Sequence, residues 1–243
     1  MDVRGLCDFY QSPMGERTRR LILRRVRELW PNTRGRRLLG YGFPQPYLNA
    51  FLGEAERCIA ALPAALGSGR TWPDGVKNLT TMVEEDALPF PDAFFDLVLV
   101  VHGLEEAEGL RPLLRQLWRV LAPEGRLMIV APNRASLWAQ LERSPFGHGR
   151  PFSHSELDTL VRGALFVPDQ WQRALYAPPV GIGALARSGT GWERFGARFL
   201  PGLGGVHIVE ASKSLYAPAT PAPATAASMR VKTPAILKPA GTE

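Results

Sequence analysis

A doubly wound, mostly parallel seven-stranded α/β sheet with helices on both faces is the fold this sequence predicts. Three observations lead there. Strand-like apolar runs alternate with helix-periodic segments along most of the chain, the pattern of a parallel sheet with crossover helices. Leu97 to Val101 is an uninterrupted apolar run, as expected of a strand buried on both faces. Gly109 to Leu121 places Leu110, Leu113, Leu114, Leu117, Val120 and Leu121 on one helical face, and Pro123-Glu124-Gly125 then breaks the helix. With 243 residues, 45% hydrophobic and 21% charged, the chain has the material for such a core.

The elements follow in order. Residues 14–29 space Met14, Thr18, Leu21, Ile22, Val26 and Leu29 as an amphipathic helix, ended by Trp30-Pro31 because a residue before proline leaves the α region. Arg37 to Tyr41 reads as a short buried strand leading into Gly40-Tyr41-Gly42. Pro46 to Leu52 reads as a short helix, with Pro46 suited to its first turn and Gly53 to its end. Arg57 to Leu62 is a second strand, 63–76 a Gly- and Pro-rich loop, and Asn78 to Val83 a third strand. Phe95 to His102 and Arg126 to Ala131 are the fourth and fifth strands. Ser153-His154-Ser155-Glu156 is a capping box opening a helix whose buried face is Leu157, Leu160 and Val161. Leu175-Tyr176 ends a sixth strand, and Val206 to Ala211 is a seventh.

The composition narrows the function classes. Two cysteines, Cys7 and Cys58, are too few for a disulfide scaffold or a cysteine-built zinc site. The four histidines show no close ligand pair beyond His148 and His154, so no metal is expected. No apolar run has the length of a membrane span, and Met1 to Arg4 leads into no apolar stretch, so a cytoplasmic protein is expected. The net charge of +6 resides at the ends: residues 1–37 carry ten arginines against Asp2, Asp8, Glu16 and Glu28. A solvated helix face accounts for these. An RNA partner ranks last, because no exposed aromatics interleave with the arginines to stack bases. The organisation expected is an N-terminal segment, 1–36, whose helix packs on the core; a main domain, 37–216; and a tail, 217–243, with five Pro and eight Ala and little to bury.

The most specific stretch runs from Glu85 to Asn133. Asp86-Ala87-Leu88-Pro89-Phe90, Phe95-Asp96, Arg119-Val120-Leu121-Ala122-Pro123-Glu124-Gly125 and the strand to Ala131 closely resemble the central part of class I S-adenosylmethionine-dependent methyltransferases of the type 11 kind. The resemblance implies a Rossmann-like domain with ligands outside the carboxyl ends of the strands. It implies that Gly40, Tyr41 and Gly42 form the cofactor-facing turn, that Asp86 accepts from the adenine amine, and that the Ala87 amide meets the ring edge. It also places the loop around Gly149-Arg150-Pro151 towards an acceptor.

The chain departs from that family's pattern at two places. Leu39-Gly40 stand where an acid usually precedes the glycines, with Phe43-Pro44-Gln45 after them. Ala61-Leu62-Pro63-Ala64 ends the second strand without the carboxylate that holds the ribose. Two readings follow: an altered pocket that still takes S-adenosylmethionine and a small-molecule acceptor, or a catalytically silent binding protein. His102, at the end of the fourth strand, is a candidate general base, with an orienting histidine as the alternative. Tyr10, His148 and Arg150 are candidate acceptor-binding residues, with core packing and loop-locking as their alternatives. Methyl transfer from a sulfonium mostly needs alignment, so the sequence names no obligatory catalytic group.

Overall fold

The computed structural model describes residues 1–67, 71–75, 77–141, 144–179 and 189–214. The tail expected at 217–243 lies outside the described residues. Seven strands form one sheet: β1 (Arg37–Gly42), β2 (Arg57–Pro63), β3 (Thr80–Val83), β4 (Phe95–Val101), β5 (Leu121–Pro132), β6 (Phe166–Ala174) and β7 (Val206–Lys213). The order across the sheet is β3-β2-β1-β4-β5-β7-β6. The pairings from β3 to β5 are parallel, whereas β7 runs antiparallel to both β5 and β6. The expected doubly wound sheet is the observed one.

Side chains alternate across the sheet as the pleat requires. Leu38, Leu99, Val101, Met128 and Ile208 face one layer, containing α1 (Val3–Gln11), α2 (Pro13–Leu29) and α3 (Gln45–Leu48). Leu39, Val98, Val100, Ile129 and Val209 face the other, containing α4 (Leu110–Val120) and α5 (His154–Gly163). A last helix, α6 (Gly189–Phe199), precedes β7. Each fully buried Leu, Ile or Phe in these layers contributes about 1.5–3 kcal/mol.

Local chemistry sets the boundaries. Asp2 caps α1, its carboxylate accepting from the Gly5 amide at 2.9 Å. Ser12 ends α1 and caps α2, accepting from the Gly15 amide at 3.0 Å, with Pro13 in the first turn. The expected capping box opens α5: Ser153 Oγ accepts from Glu156 N at 3.2 Å, and the Glu156 carboxylate accepts from Ser153 N at 2.8 Å. On α2, Arg19 pairs with Glu16, Arg24 and Arg25 with Glu28, and Arg27 with Glu54.

Several elements differ from expectation. Helix α1 is additional; Val3, Leu6, Phe9 and Tyr10 are its buried face. The helix expected over 46–52 is only Gln45–Leu48, continuing as turns to Gly53. Strand β5 begins at Leu121, because the chain leaves α4 already extended and Leu121 pairs with Phe95. Strand β6 ends before Leu175, which takes a left-handed φ of 66°. It starts at Phe166 and holds Pro168 beside a register shift. An edge strand tolerates both.

Candidate functional site

The carboxyl ends of β1 to β4 surround a cavity of about 370 Å³. Tyr41 comes from β1, Pro63 to Leu66 from the end of β2, Glu84 and Glu85 from the end of β3, and His102 and Gly103 from the end of β4. Met1, Asp2 and the stretch Glu106 to Glu108 close its other side. This is where an open α/β sheet receives a ligand, and the volume is that of a small-molecule site.

The wall is acidic. Asp2, Glu84, Glu85, Glu106 and Glu108 contribute carboxylates. Three of them have structural duties: Asp2 caps α1, Glu106 pairs with the Met1 ammonium at 2.9 Å, and Glu85 accepts from the amides of Glu108 and Gly109. The Glu84 and Glu108 side chains make no ion pair among the described residues. Tyr41 is fully buried, and among the described residues its hydroxyl has no hydrogen-bond partner. Burial, with Glu85 and Glu84 nearby, pushes the Tyr41 pKa up, so the phenol is a neutral donor.

Among the resemblance-based residues, Tyr41 lies in the cavity wall and Gly42 is in place at the end of β1. Gly42 has φ 93°, a conformation natural to glycine. The space its missing side chain leaves is filled by the Val101 carbonyl and the backbone of His102 and Gly103. Gly42 therefore lets β1 approach β4 closely. Gly40 serves packing too: a Cβ there would strike Pro44 and Leu48 of the following turn and helix. Asp86 and Ala87 are exposed and absent from the wall. Strand β3 ends at Val83, so Glu84 and Glu85 are the first residues past its carboxyl end. The chain then reverses, with the Ala87 amide donating to the Glu84 carbonyl, and carries Asp86 to the tip of that turn.

His102 lies in the wall but is buried, with a left-handed φ of 51°. Its Nδ1 is 3.0 Å from Glu105 Oε1 and its Nε2 is 2.7 Å from Tyr10 Oη. Tyr10 Oη in turn is 2.8 Å from Tyr47 Oη. In the tautomer with its proton on Nδ1, the His102 ring donates to Glu105 and accepts from Tyr10. Burial, with Tyr47 next, pushes the Tyr10 pKa well up, keeping that hydroxyl protonated. Both ring nitrogens are thus engaged within the protein, and the chain of contacts joins α1 to α3 and to the end of β4.

The remaining candidates separate. Tyr10 packs at 6.0 Å on Phe43 and is part of the buried chain, not of the cavity wall. His148 lies beside Gly149, outside that wall. Arg150 is exposed and lines a different depression between α4 and α5, with Arg111, Phe152 and Ser155. Sequence reasoning passed over Tyr47 and Glu84, and took Glu105 only as part of an acidic cluster with Glu106 and Glu108. It also passed over α1, whose signal was legible as Asp2 before Val3, Leu6, Phe9 and Tyr10 at helical spacing. Among the described residues, no group of three potential ligands could hold a metal ion.

Comparison with known proteins is consistent with this geometry. Residues 40–129 match the family model described as a methyltransferase domain. The demethylmenaquinone methyltransferase of Deinococcus radiodurans is 38% identical over 82 residues, covering 32% of this chain and 34% of the relative. The matched stretch thus spans about a third of that relative's length. Among solved structures, a possible histamine N-methyltransferase from Thermotoga maritima superposes with a TM-score of 0.57 at 19% identity, covering 83% of this chain and 91% of that one. The 1,6-didemethyltoxoflavin-N1-methyltransferase of Burkholderia thailandensis, solved with S-adenosylhomocysteine, gives a TM-score of 0.53 at 18% identity, covering 84% and 79%. These two likenesses concern the fold.

Proposed function

We propose, from the match of residues 40–129 to the methyltransferase-domain model, that this chain is a class I S-adenosylmethionine-dependent methyltransferase, a cytoplasmic enzyme methylating a small or medium-sized acceptor. The observation that carries the reading is the cavity at the carboxyl ends of β1 to β4, with the unpartnered Tyr41 hydroxyl in its wall. A buried hydroxyl without a partner is costly to the protein alone, and a ligand acceptor atom relieves that cost. The acidic wall suits a cofactor bearing a sulfonium and an ammonium group. In this reading Tyr41 donates to the cofactor, Glu84 and Glu108 face its positive charge, and Gly103 leaves room beside Tyr41.

S-adenosylmethionine, when bound, supplies a methyl group already activated on sulfur. The chain's task is alignment and exclusion of water. The segment formed by α1 and the Met1–Glu106 ion pair closes one side of the cavity. The His102–Tyr10–Tyr47 chain fixes that segment to the sheet.

A second reading, a silent binding protein, is favoured by one feature: β2 ends in Pro63-Ala64, with no carboxylate for ribose hydroxyls. Calorimetric titration with S-adenosylhomocysteine separates the two. The enzyme reading expects saturable heat, and expects Tyr41→Phe to weaken binding by about 1 kcal/mol, roughly fivefold. A folded wild type with no saturable heat and no ligand-induced rise in melting temperature would leave the silent reading.

A further inference from the structure

A further cavity, of about 400 Å³, lies beyond the carboxyl ends of β5 and β6. Trp138, Leu175, Trp192, Phe195, Leu200 and Leu203 form half of its wall, and among the described residues no Asp, Glu, Lys or Arg lines it. The wall is a constructed one. The Trp138 indole donates to the Ala177 carbonyl at 2.8 Å, fixing the ring. Glu193 of α6, itself buried, accepts from the Tyr176 amide at 2.7 Å and ties the helix to the end of β6. Gly196 lets α6 lie directly against the Tyr176 ring, where any Cβ would collide. The mouth remains apolar in water: Phe195 is 50% exposed and Leu203 49%.

Packed, buried aromatic rings stand between this cavity and the first. Trp138 meets Phe146 edge-on at 5.9 Å, and Phe146 lies 5.0 Å from His102, which lines the carboxylate-rich cavity. We propose that the second cavity binds the apolar portion of a small neutral molecule, a hydrocarbon or aromatic group. Two observations select this occupant. The volume falls in the range of small-molecule sites. The uncharged wall gives an ionic ligand nothing to pair with, and burial would penalise its charge. The proposal concerns apolar binding alone and stands whether or not methyl transfer occurs.

The test uses the full chain and a neutral fluorescent probe, N-phenylnaphthylamine, with dodecanol as competitor. Saturable enhancement in the micromolar range, reversed by dodecanol, is expected. Phe195→Glu and, separately, Leu203→Glu put a carboxylate at the mouth and should weaken the probe by about tenfold or more. Met82→Glu, at an exposed position on β3 far from the cavity in sheet order, should leave it unchanged. Titration with S-adenosylhomocysteine should be the same for Phe195→Glu and wild type. Enhancement that never saturates in the wild type overturns the proposal. So does equal weakening by Met82→Glu. A wild-type dimer that becomes monomeric in Phe195→Glu also overturns it, by assigning the face to a second copy of the chain.

Discussion

At Gly42, backbone geometry and packing coincide. Its φ of 93° and the Val101 carbonyl facing its Cα leave no room for a side chain. Gly42→Val should cost about 3 kcal/mol or more, from strain and overpacking together. Urea unfolding measures this, and a variant as stable as wild type would refute the packing role. A glycine beside the cavity therefore reads in sequence like a ligand contact and acts in the fold like a strand contact. The same distinction separates Asp86 from Glu84. In sequence both are acids after a strand; only the ending of β3 at Val83 decides which lies in the wall. His102 was legible as a residue at a strand end. That Tyr10 meets it, and Tyr47 meets Tyr10, was not legible, because both are far from it in sequence and no periodicity joins them.

Elements, taken one at a time, make their own demands. Strand β7 carries His207, buried beside Arg173 of β6, His154 of α5, Trp171 and the Phe152 carbonyl. Burial chiefly, with Arg173 and His154, pushes its pKa down from 6.5 to about 4, partly offset by Phe152. Between those pH values the unfolded chain binds a proton that the native fold refuses. The stabilisation is thus complete above pH 6.5 and is lost as pH falls towards 4, by an amount on the order of 3 kcal/mol. His207→Phe should flatten the stability profile in that window; urea midpoints at successive pH values would show it, and an unchanged slope would count against this account. Helix α2 gives a second element-scale expectation. Its arginines look like a basic patch in sequence, yet Glu16, Glu28 and Glu54 meet most of them. No salt-dependent binding to RNA is expected at physiological ionic strength, and steeply salt-sensitive micromolar binding would contradict this. The central helices and strands were legible because their apolar periodicity is uninterrupted. Strand β6 was legible only by its end, at Leu175-Tyr176, because Pro168, Asp169 and Gln170 interrupt any apolar run before it.

For the molecule as a whole, the seven-stranded sheet followed from the alternation of periods, and the Glu85 to Asn133 stretch carried the family resemblance. What the alternation does not reveal is how the last two strands are placed. Strand β7 comes last in the chain but lies between β5 and β6. A nascent polypeptide emerging from a ribosome can assemble β3 through β5 as soon as they appear. The free side of β5, with Leu127 to Ala131 apolar, must then wait unpaired until residue 213 has been synthesised, and β6 has no neighbour to join in the meantime. Such a bare edge invites pairing with other chains. A chain stopped after Gly205 should therefore scatter light and bind an apolar dye. A soluble monomer melting like the full chain would show that β5 needs no cover. Late insertion of one strand makes the synthesis of β7 the moment at which this sheet becomes safe from its own neighbours.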